Sequence, residues 1–194
     1  MRIATLSEIK ALARAAYNDL WNGAKANGRD VKIYEHWTAG HYDQLFDDYH
    51  INIDGDGRVY ISTENFADVK AATYMRNTGS IAVTLCAAYN SFLGQYAALG
   101  PEPPTDLQIN AMAQVTCVLA DALDLTIDLQ HVLTHAEAAD NKDGLYACDP
   151  YGPDHDCERW DLYVTHENDR PYTGGDIIRG NANYYRAQGI LANI

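Results

Sequence analysis

The sequence predicts an α/β fold in which a mixed central β-sheet is flanked by helices. Short runs of apolar and β-branched residues, typical of buried strands, occur at residues 31–37, 49–53, 58–62, 80–86 and 129–134. One helical pattern that opens on a capping box precedes the first of these runs, and another lies between the last two. Because the strands are joined both by a tight hairpin and by helical crossovers, we expect parallel and antiparallel pairs in one sheet.

The first helix and the first strand follow directly from local patterns. Thr5 and Glu8 have the spacing of a capping box, and apolar residues follow at helical intervals as far as Leu20. Gly28 ends this predicted helix. In the strand at residues 31–37, alternation places His36 on the face opposite Ile33 and Glu35.

A hairpin is the next feature. The runs at 49–53 and 58–62 flank Asp54, Gly55, Asp56 and Gly57, and these residues supply the positive φ angles that a tight turn needs. An EF-hand calcium loop would require a Glu where this chain has Asn65, so the turn interpretation is favoured.

The second half of the chain predicts a long helix and a long loop. Thr105 and Gln108 form a second capping box, and the helix they open runs to about Leu123. After the short strand at 129–134, residues 136–158 are polar and are expected to form a functional loop without secondary structure. Residues 176–188 are expected to form a last helix.

Composition excludes several classes of function. The 194 residues suit one large domain, and the formal net charge is −13 without a cluster of Lys and Arg. We therefore expect no nucleic-acid partner and no attraction to anionic membranes. No run of 18 apolar residues predicts a membrane span, and residues 1–6 lead directly into an amphipathic segment, so we expect no signal peptide and synthesis in the cytoplasm.

The four cysteines divide into two pairs. Cys86 and Cys117 lie in apolar segments and are expected to be buried thiols. Cys148 and Cys157 flank a polar stretch, where they are free to form a disulfide or to bind a metal.

Two histidines stand where chemistry is expected. His36 and His135 each lie at the C-terminal end of a predicted strand, where a rigid frame meets a variable loop. Two neutral imidazoles and one carboxylate make a catalytic zinc site with an open fourth position. The spacing alone does not distinguish such a site from a structural pair of histidines.

Residues 36–40, His-Trp-Thr-Ala-Gly, resemble the first metal motif of the type 2 N-acetylmuramoyl-L-alanine amidases. That family shares its fold with the peptidoglycan recognition proteins and with small phage amidases. Further segments resemble other family motifs in the same order along the chain, at residues 49–60, 77–83, 104–109, 134–137 and 159–162.

The resemblance implies a Zn²⁺ site formed by His36, His135 and Asp161. Asp149 is a competing third ligand, and Cys148 or Cys157 is a further alternative; Asp161 is favoured because Arg159 precedes it by two positions, where the family has a basic residue. On this interpretation residues 31–168 are the catalytic domain. Residues 1–30 are a helical segment packed on it, and residues 169–194 are a helical tail.

The resemblance also implies catalytic residues. Some members carry a Glu on the strand where this chain has Thr84, so Tyr49, Arg159 and Glu137 are the candidates. Tyr49 would orient water or bind the developing oxyanion, and Arg159 would stabilise its charge. Glu137 would act as general base or hold an imidazole, and a surface charge without a catalytic role is the alternative.

The implied reaction is hydrolysis of the amide bond between N-acetylmuramic acid and L-alanine of the peptidoglycan stem peptide. The His-Ala-Glu and Arg-Trp-Asp forms of the motifs favour a phage or prophage endolysin acting on the cell wall. A cytoplasmic amidase that recycles muropeptides and a recognition domain without catalysis are the alternatives. The sequence gives no indication of oligomeric state.

Overall fold

The computed structural model describes the backbone of residues 1–194 and every side chain except that of Asn193. Its strands are β1 (Arg2–Ile3), β2 (Lys32–Trp37), β3 (Ile51–Ile53), β4 (Val59–Ile61), β5 (Ser80–Leu85), β6 (Phe92–Leu93), β7 (Ala97–Ala98) and β8 (Val132–Thr134). Its helices are α1 (Leu6–Ala15), α2 (Tyr17–Ala26), α3 (Asp106–Ala122), α4 (His135–Ala139), α5 (Thr173–Ala187) and a final 3₁₀ turn (Ile190–Asn193).

The central sheet is mixed, as predicted. In the part of the chain that the structure describes, six strands pair in the order β1-β4-β3-β5-β2-β8. The pairs β2–β5, β2–β8 and β3–β5 are parallel, whereas β3–β4 and β1–β4 are antiparallel. The C-terminal ends of β2, β5 and β8 therefore meet at one edge of the sheet, and this edge carries the candidate site.

Both faces of the sheet are covered. Helix α3 packs on one face, and α1 and α5 pack against α3. On the opposite face, Tyr34 of β2 and Leu133 of β8 pack with Ala138 of α4. Because it is enclosed by the sheet and by other helices, α3 buries most of its residues, and the predicted buried thiol of Cys117 is among them. Every residue of β2 is buried, and alternation sends Glu35 toward α3, where the Thr116 hydroxyl donates a 2.7 Å hydrogen bond to its carboxyl group.

The predicted capping boxes are confirmed, and the predicted N-terminal helix is divided in two. Thr5 with Glu8 caps α1, and Thr105 with Gln108 caps α3. The helix pattern continues through residue 26, but Ala16 takes ψ −2° and separates α1 from α2. Close packing of α2 depends on Gly79 at φ +68°, since a Cβ there would lie 2.3 Å from the backbone nitrogen of Ala24.

Two further expectations need correction. Residues 136–158 do not lack secondary structure, because a third capping box, Thr134 with Glu137, opens α4 at the start of that stretch. The last helix begins at Thr173 rather than at residue 176. Among the described residues, no helix has the length and apolar character needed to cross a membrane.

Candidate metal centre

The sheet brings the two predicted histidines together. His36 lies near the end of β2, and His135 follows β8 directly as the first residue of α4. Because β2 and β8 are parallel neighbours with Glu35 opposite Thr134, the two imidazoles lie side by side at the sheet edge. Their ring centroids are 4.7 Å apart.

Asp161 completes a three-residue cluster. Its carbonyl oxygen accepts a hydrogen bond from the backbone N–H of Ala136, which ties the turn at 161 to the start of α4. Its Oδ2 lies 3.3 Å from Nδ1 of His36 and 3.2 Å from Nδ1 of His135. All three residues are buried, and the three atoms that can bind a metal lie within 4.8 Å of one another.

The electrostatics of the cluster suit a divalent cation. Burial lowers the pKa of His36 to about 4, so its imidazole is neutral and keeps a free lone pair. Burial opposes ionisation of Asp161, but interactions with His135 and His36 outweigh it and hold the pKa of Asp161 well below its usual range. The donor set of two imidazole nitrogens and one carboxylate oxygen is that of catalytic zinc sites.

The outer nitrogens of both imidazoles face hydroxyl groups. Nε2 of His36 lies 3.1 Å from Oγ1 of Thr73, and Nε2 of His135 lies 3.2 Å from the hydroxyl oxygen of Tyr151. Burial raises the pKa of Tyr151 to about 12, so its phenol stays protonated at neutral pH. Neither contact could be predicted from the sequence, because Thr73 and Tyr151 lie outside the motifs identified above.

The structure places Tyr49 and Arg159 beside the cluster. The ring centroid of Tyr49 is 5.1 Å from that of His36. Burial and the negative charge of Asp161 raise the pKa of Tyr49, so this phenol is also neutral. Arg159 is half-exposed, and its Nη1 donates to the backbone oxygen of Glu158 and lies 3.7 Å from the carboxylate oxygen Oε1 of the same residue.

Glu137 does not lie among these groups. Its side chain is 3% exposed, and both carboxylate oxygens accept hydrogen bonds from Arg179, at 2.7 and 2.8 Å. One oxygen also accepts from the backbone N–H of Thr134. The carboxylate therefore completes the capping box of α4 and forms an ion pair with Arg179. The sequence had instead indicated a general base or a partner of an imidazole.

The competing third ligands lie outside the cluster. Asp149 and Cys148 line the larger cavity described below, and the Sγ of Cys148 is 3.7 Å from Nη1 of Arg76. Cys148 and Cys157 are free thiols, as are the buried Cys86 and Cys117. His50, a histidine in the predicted strand at 49–53, is not part of the cluster, and its Nδ1 accepts from the backbone N–H of Ala82.

Two cavities meet at the cluster and form one cleft. The larger has a volume of about 630 Å³ and the smaller about 390 Å³. Both are lined by His135, Glu158, Arg159, Ala71 and Ala72. The larger continues along Tyr74, Asn77 and Tyr151, and the smaller along Trp37, Tyr49 and Trp160. Of the cluster, His135 lines both cavities and Asp161 lines the smaller one.

A buried ion pair supports the wall of the larger cavity. Arg76 and Asp143 are both fully buried, and Nε of Arg76 donates to Asp143 at 2.6 Å. Arg76 also donates to Asn141, whose amide nitrogen donates to the carbonyl of Cys148. This network joins the segment around Tyr74 to the loop that follows α4. Sequence reasoning missed it because Arg76 lies more than 60 residues before its partners Asn141 and Asp143.

Comparisons with known proteins give two structural similarities and one family match. A search of curated proteins found no match. Among solved structures, the Ph2119 endolysin from Thermus scotoductus MAT2119 bacteriophage Ph2119 is similar with 18% identity and a TM-score of 0.42, covering 56% of this chain and 73% of that chain. The endolysin N-acetylmuramoyl-L-alanine amidase LysCS from Clostridium intestinale URNW shows 14% identity and a TM-score of 0.40, covering 56% and 70%.

A family model gives the decisive comparison. The model described as N-acetylmuramoyl-L-alanine amidase matches residues 15–148, which include His36, Tyr49 and His135. Since the match spans more than half of the chain, the protein belongs to the N-acetylmuramoyl-L-alanine amidase family.

Proposed function

We propose that this protein is a zinc-dependent hydrolase that cuts the amide bond between N-acetylmuramic acid and L-alanine of the stem peptide. The observation that carries the proposal is the convergence of His36 Nδ1, His135 Nδ1 and Asp161 Oδ2 where the two cavities meet. Two imidazole nitrogens and a carboxylate oxygen fit Zn²⁺, and three protein ligands leave a fourth position open. Bound zinc supplies a Lewis acid that polarises the scissile carbonyl and acidifies water.

We assign to Tyr49 and Arg159 the role of hydrogen-bond donors to the substrate. Attack of water on the amide carbonyl places negative charge on the carbonyl oxygen, and donors aimed at that charge lower the barrier. The phenol of Tyr49 keeps its proton because its pKa is raised, so its role is to donate a hydrogen bond rather than to act as a base. The guanidinium of Arg159, which lines both cavities, supplies a second donor and a positive charge.

The biological setting we propose is that of a phage or prophage endolysin acting on peptidoglycan. The His-Ala-Glu form at residues 135–137 and the Arg-Trp-Asp form at residues 159–161 support this assignment over that of a cytoplasmic recycling amidase. Activity on intact sacculi would agree with the endolysin assignment. Activity restricted to soluble muropeptides would favour the recycling enzyme.

Digestion of purified peptidoglycan tests the reaction. We expect the zinc-loaded protein to release L-alanine amino termini, without new reducing sugar ends, and a chelator to abolish the release. New reducing ends would make the protein a glycosidase. Peptidoglycan binding without any new terminus would make it a recognition domain.

A further inference from the structure

The outer sides of the two imidazoles are held by hydroxyl groups from different parts of the chain. Nδ1 of each ring faces Asp161, and Nε2 of each ring faces a hydroxyl oxygen, that of Thr73 for His36 and that of Tyr151 for His135. Both rings thus have a fixed partner on each side. These contacts within the protein therefore orient both imidazole rings so that Nδ1 is available to a metal.

We propose that Thr73 and Tyr151 are positioning residues of the metal site, an inference that rests on the proposed zinc dependence. A metal-binding nitrogen must carry no proton, so in the loaded site the proton of each ring resides on Nε2. That N–H then donates to Oγ1 of Thr73 or to the hydroxyl oxygen of Tyr151. Partners of this kind fix the tautomer and the orientation of ligating imidazoles.

A hydroxyl suits both states of the site. In the metal-free protein, Nδ1 of either ring can carry the proton and donate to Asp161, and Nε2 then accepts from the hydroxyl. After metal binding, the same hydroxyl accepts from Nε2. A hydroxyl can donate and accept, whereas a carboxylate or a carbonyl only accepts. Thr73 and Tyr151 therefore keep their contacts in both states without moving the rings.

Thr73 is held firmly enough for this role. It is 1% exposed, its backbone N–H donates to Oδ1 of Asn77 at 2.7 Å, and its carbonyl accepts from the N–H of Arg76 at 3.0 Å. These contacts within the turn before β5 fix the position of the Thr73 hydroxyl next to His36.

Tyr151 is fixed at both of its backbone groups. Its N–H donates to the carbonyl of Ala139, at the end of α4, and its carbonyl accepts from the N–H groups of Glu158 and Arg159. The residue therefore links the helix that carries His135 to the segment that leads to Asp161. Its ring also forms part of the wall of the larger cavity, with the ring of Tyr74 edge-on at 6.3 Å.

Zinc affinity measured on folded protein tests the proposal. We expect Thr73→Val and Tyr151→Phe each to weaken zinc binding about 10- to 100-fold in competition with a chromophoric chelator. Thr73→Ser keeps a hydroxyl and should stay close to the wild-type affinity. Tyr74→Phe removes a hydroxyl from the same cavity without touching a histidine, and its zinc affinity should also be unchanged.

Two further measurements separate positioning from general damage. Circular dichroism melts of the metal-free variants establish that each is folded at the temperature of the titration. In wild-type protein loaded with zinc, long-range ¹H–¹⁵N spectra should show the ring proton of both histidines on Nε2.

The outcomes are distinct. Zinc affinities of Thr73→Val and Tyr151→Phe within twofold of wild type would overturn this inference and leave the proposed function intact. An equal loss of affinity in Tyr74→Phe would also overturn it. Wild-type protein that binds no zinc would overturn both.

Discussion

Replacement of Arg179 by Met is expected to lower the free energy of unfolding by about 3–5 kcal/mol, the usual cost of breaking a buried ion pair from one side. Arg179 lies on α5 and donates to Glu137 through both terminal nitrogens, to the carbonyl of Val132 and to Asp176. Methionine fills much of the same space but leaves the Glu137 carboxylate buried without its cation. That uncompensated charge is the main source of the loss.

The partner substitution should cost less. Glu137→Gln removes the negative charge but keeps an oxygen that can accept from the N–H of Thr134, and Arg179 retains Asp176. We therefore expect a loss of about 1–3 kcal/mol, the cost of weakened buried hydrogen bonds. Because the residues are in direct contact, the double variant should be less destabilised than the sum of the single variants.

Urea unfolding at pH 7 in the presence of a chelator measures these free energies without a contribution from bound metal. Arg186→Met on the same helix is the matched control, since its contacts to the carbonyl of Leu125 are 3.5 Å long, and we expect it to cost less than about 1 kcal/mol. An Arg179→Met variant as stable as this control would refute the argument. Full stability of Glu137→Gln together with lost activity would return Glu137 to the role of general base.

Three further predictions concern the cluster and the cleft. Asp161→Ala should lose the roughly one zinc per chain expected for the wild type, as measured by metal analysis, and a variant that retains its zinc would show that another residue is the third ligand. Tyr49→Phe should keep its zinc but lose about 10²–10³-fold in kcat, and an unchanged kcat would remove Tyr49 from the mechanism. Asp143→Asn should cost about 3–5 kcal/mol at pH 7 by leaving Arg76 unpaired. Burial opposes ionisation of Asp143, but Arg76 outweighs it and holds the pKa of Asp143 below its usual value. The ion pair therefore stabilises the fold fully above the unfolded-state pKa of about 3.9, and this stabilisation is lost as the pH falls through the lower pKa of the folded state. The urea midpoints of wild type and variant should accordingly converge in acid. A difference that stays constant with pH would contradict this.

Local patterns predicted the parts of the fold that local interactions determine. The capping boxes at Thr5 and Thr105 each close within four residues, and the hairpin at 54–57 depends on its own turn residues. The same logic applied to Thr134 and Glu137 would have predicted α4. Glu137 was instead interpreted as a catalytic candidate, because it lies two residues after His135. The cation with which it pairs, Arg179, lies 42 residues further along the chain.

The candidate site divides in the same way. His36 and His135 could be predicted because strand ends at one edge of a parallel sheet come together whatever the loops do. The third member depends on the path of the loop after α4, and spacing alone cannot distinguish Asp161 from Asp149. The path is set by tertiary contacts, such as the bond from Ala136 to the carbonyl of Asp161, which leave no local trace in the sequence.

The part of the chain beyond residue 148 is therefore integral to the site. The family match ends there, and the two histidines it includes supply no negative charge for a cation. Asp161 adds the carboxylate, Tyr151 holds the outer nitrogen of His135, and Arg179 fixes the helix on which His135 stands. The sheet brings His135 only approximately into position. Contacts from the loop that follows α4 and from α5 then fix its orientation. Differences in metal affinity among relatives that share the matched region should accordingly follow differences in this C-terminal part.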